Sequence, residues 1–186
     1  MPVSSGTPPI RFAVNLPLSG WNGRALQSGG GGMGGQLITA PGNKASGRFD
    51  PNPLNVPYPI TQGYVTFGSD NGHPPGIRDH AFTRSAEAIR NWGHEELKKT
   101  RDTVLWVIQN AYGRQPDRLF FNGESAGGRE ALMVTQKYPD DYDGVIATSP
   151  VLNWNIIHLA DNRTRDRLME GWLDRSEEHT SELQSH

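Results

Sequence analysis

At 186 residues and a formal net charge of -2, the chain has the length of a single domain of roughly 100 to 200 residues and can bury a core, but it carries no broad cationic field, which argues against a nucleic-acid surface or an anionic-membrane footprint. No run approaches the roughly 20 consecutive apolar residues of a bilayer crossing, and the opening MPVSSGTPP lacks the basic start and apolar stretch of a signal peptide. The absence of cysteine excludes a disulfide framework, a thiolate metal site and a cysteine nucleophile, and leaves the compartment open.

Ile10, Phe12, Val14 and Leu16 alternate with Arg11, Ala13 and Asn15 and predict a half-buried strand, stopped by Pro17 and Gly20. A short apolar run at Ala25 and Leu26 leads into the glycine-rich loop SGGGGMGG. Residues 42–59 read as a polar, proline-broken excursion, and GYVTFGSDNGH predicts a further strand ending in a turn at Asn71 and Gly72. From Trp92 the period changes. Leu97, Val104, Leu105, Ile108, Ala111 and Tyr112 recur at helical spacing, with Gly113 as the stop. A short apolar strand from Arg118 to Phe121, a helix from Ala126 to Tyr138 closed by Pro139, and a buried strand from Gly144 to Ala147 complete the pattern. Helix, strand, turn, helix, strand is the unit of an α/β fold, a mostly parallel sheet flanked by helices. Ligands bind such sheets at the carboxyl ends of their strands.

The turn between strand and helix reads Gly-Glu-Ser-Ala-Gly, with Ser125 between Gly123 and Gly127. An acyl-transfer nucleophile on a strand-to-helix turn needs small residues at both flanking places, because any side chain there collides with the returning backbone. Its hydroxyl is then exposed, and the next N–H, that of Ala126, points where an oxyanion forms. A second donor comes from a loop after an earlier strand, and Gly31 and Gly32 are the candidates. The competing readings are an ordinary turn serine and a flexible surface loop. No Lys-Ser/Thr follows that loop, so it is not read as a phosphate cradle.

His73 and His94 precede Ser125, whereas the base of an α/β-hydrolase follows its serine in chain order. His73 reads as a loop histidine bonded to nearby backbone, and His94 as a residue near a helix start. His158 follows too closely to serve as base. Asp140, Asp141 and Asp143 read as a solvated turn.

With these stretches laid out, the chain resembles the tannase and feruloyl esterase family of α/β-hydrolases. The resemblance rests on IRFAVNLP, on WNGR with the glycine-rich loop, on GYVTFGSDNGH and above all on FFNGESAGGREALMVTQKYPDDYDGVIATSP. It covers most of residues 9–155. It implies a serine ester hydrolase acting on small-molecule esters of aromatic carboxylic acids, with Ser125 as nucleophile, the Ala126 N–H and the glycine loop as oxyanion hole, and no cofactor. Many members carry a cysteine directly before the serine, whereas Glu124 stands here. The alternatives are another carboxylesterase or acyltransferase of the same fold, or a non-catalytic relative that binds carbohydrate or phenolics. The family's lid, often with a calcium site, and its acid and histidine lie further downstream. Residues 1–174 are therefore expected to be an incomplete catalytic domain, inactive by itself. Residues 175–186, RSEEHTSELQSH, match the translation of a sequencing adapter and are expected to be non-native.

Overall fold

The computed structural model describes residues 6–38, 57–75 and 81–183, with side chains described through residue 171. The expected excursion at residues 42–59 lies almost wholly outside the described residues. The chain divides into two units, Met1–Pro150 and Val151–His186.

Among the described residues the first unit holds five strands: β1 (Phe12–Asn15), β2 (Arg24–Ser28), β3 (Val65–Ser69), β4 (Arg118–Glu124) and β5 (Gly144–Thr148). They form one sheet in the order β1-β3-β2-β4-β5. Only β1 runs antiparallel, against β3; the β3-β2, β2-β4 and β4-β5 pairs are parallel. The α/β reading therefore holds. The parallel register brings Ser28 beside Asn122 and Glu124 beside Thr148. Carboxyl ends of β2 and β4 consequently lie side by side, with the end of β3 next to β2.

Among the described residues three α-helices belong to this unit: α1 (Ala86–Arg90), α2 (Glu96–Tyr112) and α3 (Ala126–Lys137). Ala25, Val65, Phe67, Val104, Ile108 and Leu119 form one apolar cluster. Leu97, Phe121, Ala131 and Val134 form a second between β4, α2 and α3. Burying each such side chain stabilises the fold by roughly 1.5–3 kcal/mol. Alternation along β4 sends Leu119, Phe121 and Gly123 inward, as the strand period requires. Gly113 ends α2 in the left-handed region at φ 73°, its N–H bonded to the Gln109 carbonyl.

Two expectations need correction. The helical run begins at Ala86, where the Ser85 hydroxyl accepts the Ala88 N–H at 3.2 Å, and it passes through a π-helical turn at Asn91–Glu95 before α2. His94 therefore lies inside that run, its Nδ1 2.8 Å from the Tyr138 hydroxyl. The cap at Ser85 thus starts the run ahead of the apolar period that the sequence shows from Trp92 onward. The final strand is not buried: β5 is the sheet edge among the described residues, with Ile146 62% exposed.

The second unit is the helix α4 (Trp154–Leu183). Ile156, Leu159 and Leu168 are exposed on it, and His158 meets the Trp154 ring edge-on at 4.8 Å. No helix among the described residues is long and apolar enough to cross a membrane.

Candidate active site

Ser125 occupies the turn between β4 and α3 with φ 57° and ψ −115°. A non-glycine residue held there stores on the order of 1–3 kcal/mol of backbone strain, and such strain persists only where the surroundings enforce it. They do so from both sides. The Ser125 N–H donates to the Thr148 carbonyl at 3.0 Å, and its own carbonyl accepts the Arg129 N–H at 3.1 Å, opening α3. The side chain is exposed while Ala126 is buried.

The turn closes only because of its glycines. A Cβ on Gly123 would lie 2.0 Å from the Gly127 carbonyl oxygen, and one on Gly127 would lie 2.5 Å from the Gly30 oxygen. One on Gly128 would lie 2.6 Å from the Thr148 oxygen. Strand β4, helix α3 and the loop after β2 thus meet backbone to backbone. The N–H groups of Ala126, Gly127 and Gly128 lie in the first turn of α3, where no intrahelical acceptor exists. The positive end of the helix dipole adds to them.

The glycine-rich loop runs beside this turn because β2 and β4 are neighbours. The Gly29 N–H donates to the Asn122 carbonyl at 2.8 Å, and the Gly30 N–H to Glu130 Oε2 at 2.8 Å. Gly31 and Gly32 follow, both exposed. A Cβ on either would meet nothing within 4 Å, and Gly32 has φ 59°. The Gly34 N–H returns to the Gly31 carbonyl at 3.0 Å, so residues 31–34 form a turn. Farther on, the Met33 carbonyl accepts from Trp92 Nε1 at 3.0 Å and faces His73 Nε2 at 2.9 Å. His73 Nδ1 lies 2.9 Å from the Pro74 carbonyl, and the ring stacks on Phe82 at 4.3 Å. This is the backbone-bonded loop histidine expected from its place in the sequence.

What sequence reasoning missed lies beneath the loop. Glu96 of α2 and Glu130 of α3 are buried within reach of one amide. Asn71 Nδ2 donates to Glu130 Oε1 at 2.7 Å and to Glu96 Oε1 at 3.2 Å, and the Ser69 hydroxyl donates to Glu96 Oε2. Asn71 adopts φ 61°, the left-handed conformation its short polar side chain tolerates. Burial, then the nearby Glu130, pushes the Glu96 carboxyl up to about 8. Burial also raises Glu130, opposed by the Gly30 N–H, Arg129 and Asn71. No apolar period or motif marks these two acids. The one available signal is that each carboxylate interrupts the buried face of its helix.

The sign of the resulting pH effect is fixed. Glu96 holds a proton in the folded state that the unfolded chain, with the ordinary value of 4.5, releases. Its contribution is full below about 4.5 and lost as pH rises through about 8. Stability should therefore fall across that window by at most about 1.4 kcal/mol per pH unit. The lowered acids Glu95 and Asp143 act below it. Urea midpoints measured at pH 5, 6, 7 and 8 should decline in the parent and stay flatter in Glu96→Gln; equal slopes would contradict the assignment.

Among the described residues no cluster of three or more His, Cys, Asp or Glu is arranged to hold a metal ion.

Comparison with known proteins now adds to this geometry. The profile of the family described as tannase and feruloyl esterase matches residues 1–175. An uncharacterized esterase of Agrobacterium fabrum is 41% identical over 155 residues, covering 82% of this chain and 27% of that protein. The mono(2-hydroxyethyl) terephthalate hydrolase of Piscinibacter sakaiensis is 29% identical over 148 residues, covering 76% of this chain and 23% of its own length. Among solved structures, an esterase from Aspergillus oryzae superposes with TM-score 0.66 at 26% identity, covering 82% of this chain and 27% of that one. Feruloyl esterase B from the same organism gives 0.58 at 28% identity, covering 72% and 24%. The chain spans about a quarter of the length of the curated relatives it matches.

Proposed function

The chain belongs to the tannase and feruloyl esterase family, and we propose on that premise that it forms the nucleophile-bearing part of a serine hydrolase acting on esters of aromatic carboxylic acids. The observation that carries the reading is Ser125 itself, an exposed hydroxyl on a left-handed backbone between a parallel strand and a helix. Fold-building alone does not favour a serine at φ 57°, since glycine adopts that region at less cost.

In the proposed reaction the Ser125 oxygen attacks the ester carbonyl, its proton passing to a general base. The carbonyl oxygen gains the charge, received by the Ala126 N–H and by N–H groups of Gly31 and Gly32. The alcohol leaves with a proton, and water then cleaves the acyl-enzyme. The described residues offer the nucleophile and the donors. His73 and His94 are each engaged elsewhere, with backbone carbonyls and with Tyr138 respectively, so the base is assigned to neither. No cofactor takes part. The aromatic preference is carried over from the relatives named as feruloyl esterases.

The test uses protein translated from the complete gene. Methyl ferulate or methyl gallate should be hydrolysed with kcat/KM about tenfold or more above methyl butyrate, the scale on which an apolar pocket discriminates. Equal rates on all three would remove the aromatic assignment. A fluorescent phosphonate should label Ser125, located by peptide mass; a label on another residue would remove the nucleophile assignment.

A further inference from the structure

We propose that Glu130 is the positioning residue of the oxyanion hole, tying the glycine loop to the helix that carries the nucleophile; this rests on the esterase reading above.

Two oxyanion donors from different parts of the chain stabilise a transition state only if their separation is held to a fraction of an ångström. Here one donor opens α3, and the others lie in a loop 100 residues away from Glu130, the separation across which the Gly30 N–H meets its carboxylate. Glu130 stands on α3, five positions after Ser125. Its Oε2 takes the Gly30 N–H at 2.8 Å, and its Oε1 takes Asn71 Nδ2 at 2.7 Å. Both oxygens accept, and the group is 3% exposed. The bond to Gly30 thus lies in a water-poor place, where a hydrogen bond is stronger than the same contact in water.

The steric surroundings leave Gly30 no slack. Its carbonyl oxygen abuts the Cα of Gly127, where an added Cβ would come within 2.5 Å, and a Cβ on Gly30 itself would come within 2.5 Å of Asn71 Oδ1. Gly29 is bounded likewise, its added Cβ lying 2.8 Å from Glu130 Oε2 and 2.9 Å from the Gly127 Cα. The peptide joining Gly30 to Gly31 is planar and trans. Holding the Gly30 carbonyl against α3 therefore also sets the direction of the Gly31 N–H, which shares that plane. Glu130 anchors the preceding Gly29–Gly30 peptide through the Gly30 N–H, Gly127 backs the Gly30 carbonyl, and Asn71 braces Glu130 from just beyond the end of β3. Nucleophile and second donor then move as one body.

The experiment uses protein translated from the complete gene, with Glu130→Leu, which matches the volume and accepts no hydrogen bond, and Glu130→Gln, which still accepts the Gly30 N–H. Steady-state kinetics on an aromatic ester are paired with its thionoester, whose sulfur is a poor acceptor for oxyanion-hole donors. For Glu130→Leu we expect kcat to fall about 10²–10³-fold, the usual loss for one oxyanion donor, with KM changed less than about threefold and the oxoester/thionoester ratio collapsing. Glu130→Gln should remain within about tenfold of the parent, with a ratio reduced but above that of Leu. A purely structural role predicts instead a lower melting temperature with kcat and ratio of the folded protein unchanged, which would overturn the proposal. If the Leu protein does not fold, Glu130→Gln decides alone: an unchanged ratio overturns the proposal and a reduced one supports it. Ser125→Ala runs alongside. If it retains activity, the esterase reading fails; if it is inactive while Glu130→Leu keeps the parental kcat and ratio, only the positioning role fails.

Discussion

Ser125→Ala, in protein translated from the complete gene, should lose about a millionfold in kcat on an aromatic ester, leaving the oxyanion donors and binding to supply roughly 10³–10⁴ over water. The hydroxyl is exposed and serves no hydrogen bond within the fold among the described residues, so its removal deletes chemistry with little else. Alanine faces the same backbone strain as serine at φ 57°. Melting temperature should therefore stay within about 1–2 °C, since a surface truncation of this kind changes stability by at most about 0.5 kcal/mol. Both halves of the expectation matter. An inactive protein that is also unfolded says nothing about the nucleophile, whereas an inactive, stable and phosphonate-resistant one assigns it. Residual kcat within about tenfold of the parent would sink the assignment.

Gly123→Ala should be the most damaging single-methyl change in the described region. The added Cβ would sit 2.0 Å from the Gly127 carbonyl oxygen and 2.3 Å from its carbon. These are backbone atoms of the first turn of α3, so no rotamer change relieves the overlap. Either α3 withdraws from β4, opening the cluster of Leu97, Phe121, Ala131 and Val134, or the strand end shifts and carries Ser125 with it. A destabilisation above about 4 kcal/mol is expected, in the rare tail of point-mutant effects. Gly31→Ala is the control. Its Cβ would meet nothing within 4 Å and its backbone lies outside the left-handed region, so stability should change by less than about 0.5 kcal/mol. Urea midpoints of the two variants check the contrast, and similar values for both would show that the turn is not sterically closed.

The legible features were those whose causes are local. The alternation from Ile10 to Leu16, the helical period ending at Gly113 and the strand-turn-helix around Ser125 each depend on residues within a few positions of one another. So does the turn at Asn71 and Gly72. Helix boundaries were less legible. Ser85 starts the helical run through one hydrogen bond, and the π-helical turn is held partly from outside, Arg129 reaching the Trp92 and Gly93 carbonyls at 3.4 Å. Nothing in NWGHE alone announces those partners. The edge exposure of β5 was illegible for a similar reason, since an apolar strand reads alike whether or not a neighbour covers it.

By itself the sequence determined the α/β architecture, the family, and a turn where flanking glycines permit a strained serine, because period, turn chemistry and steric clearance act over short stretches. Only the tertiary structure decided what stands around that serine. The Gly30–Glu130 bond spans 100 positions and the Asn71–Glu130 bond spans 59. Those partners are chosen by strand order, which sets the ends of β3, β2 and β4 next to one another. Burial then makes the bonds obligatory, because a carboxylate removed from water must find donors, and the loop amide beside it is one.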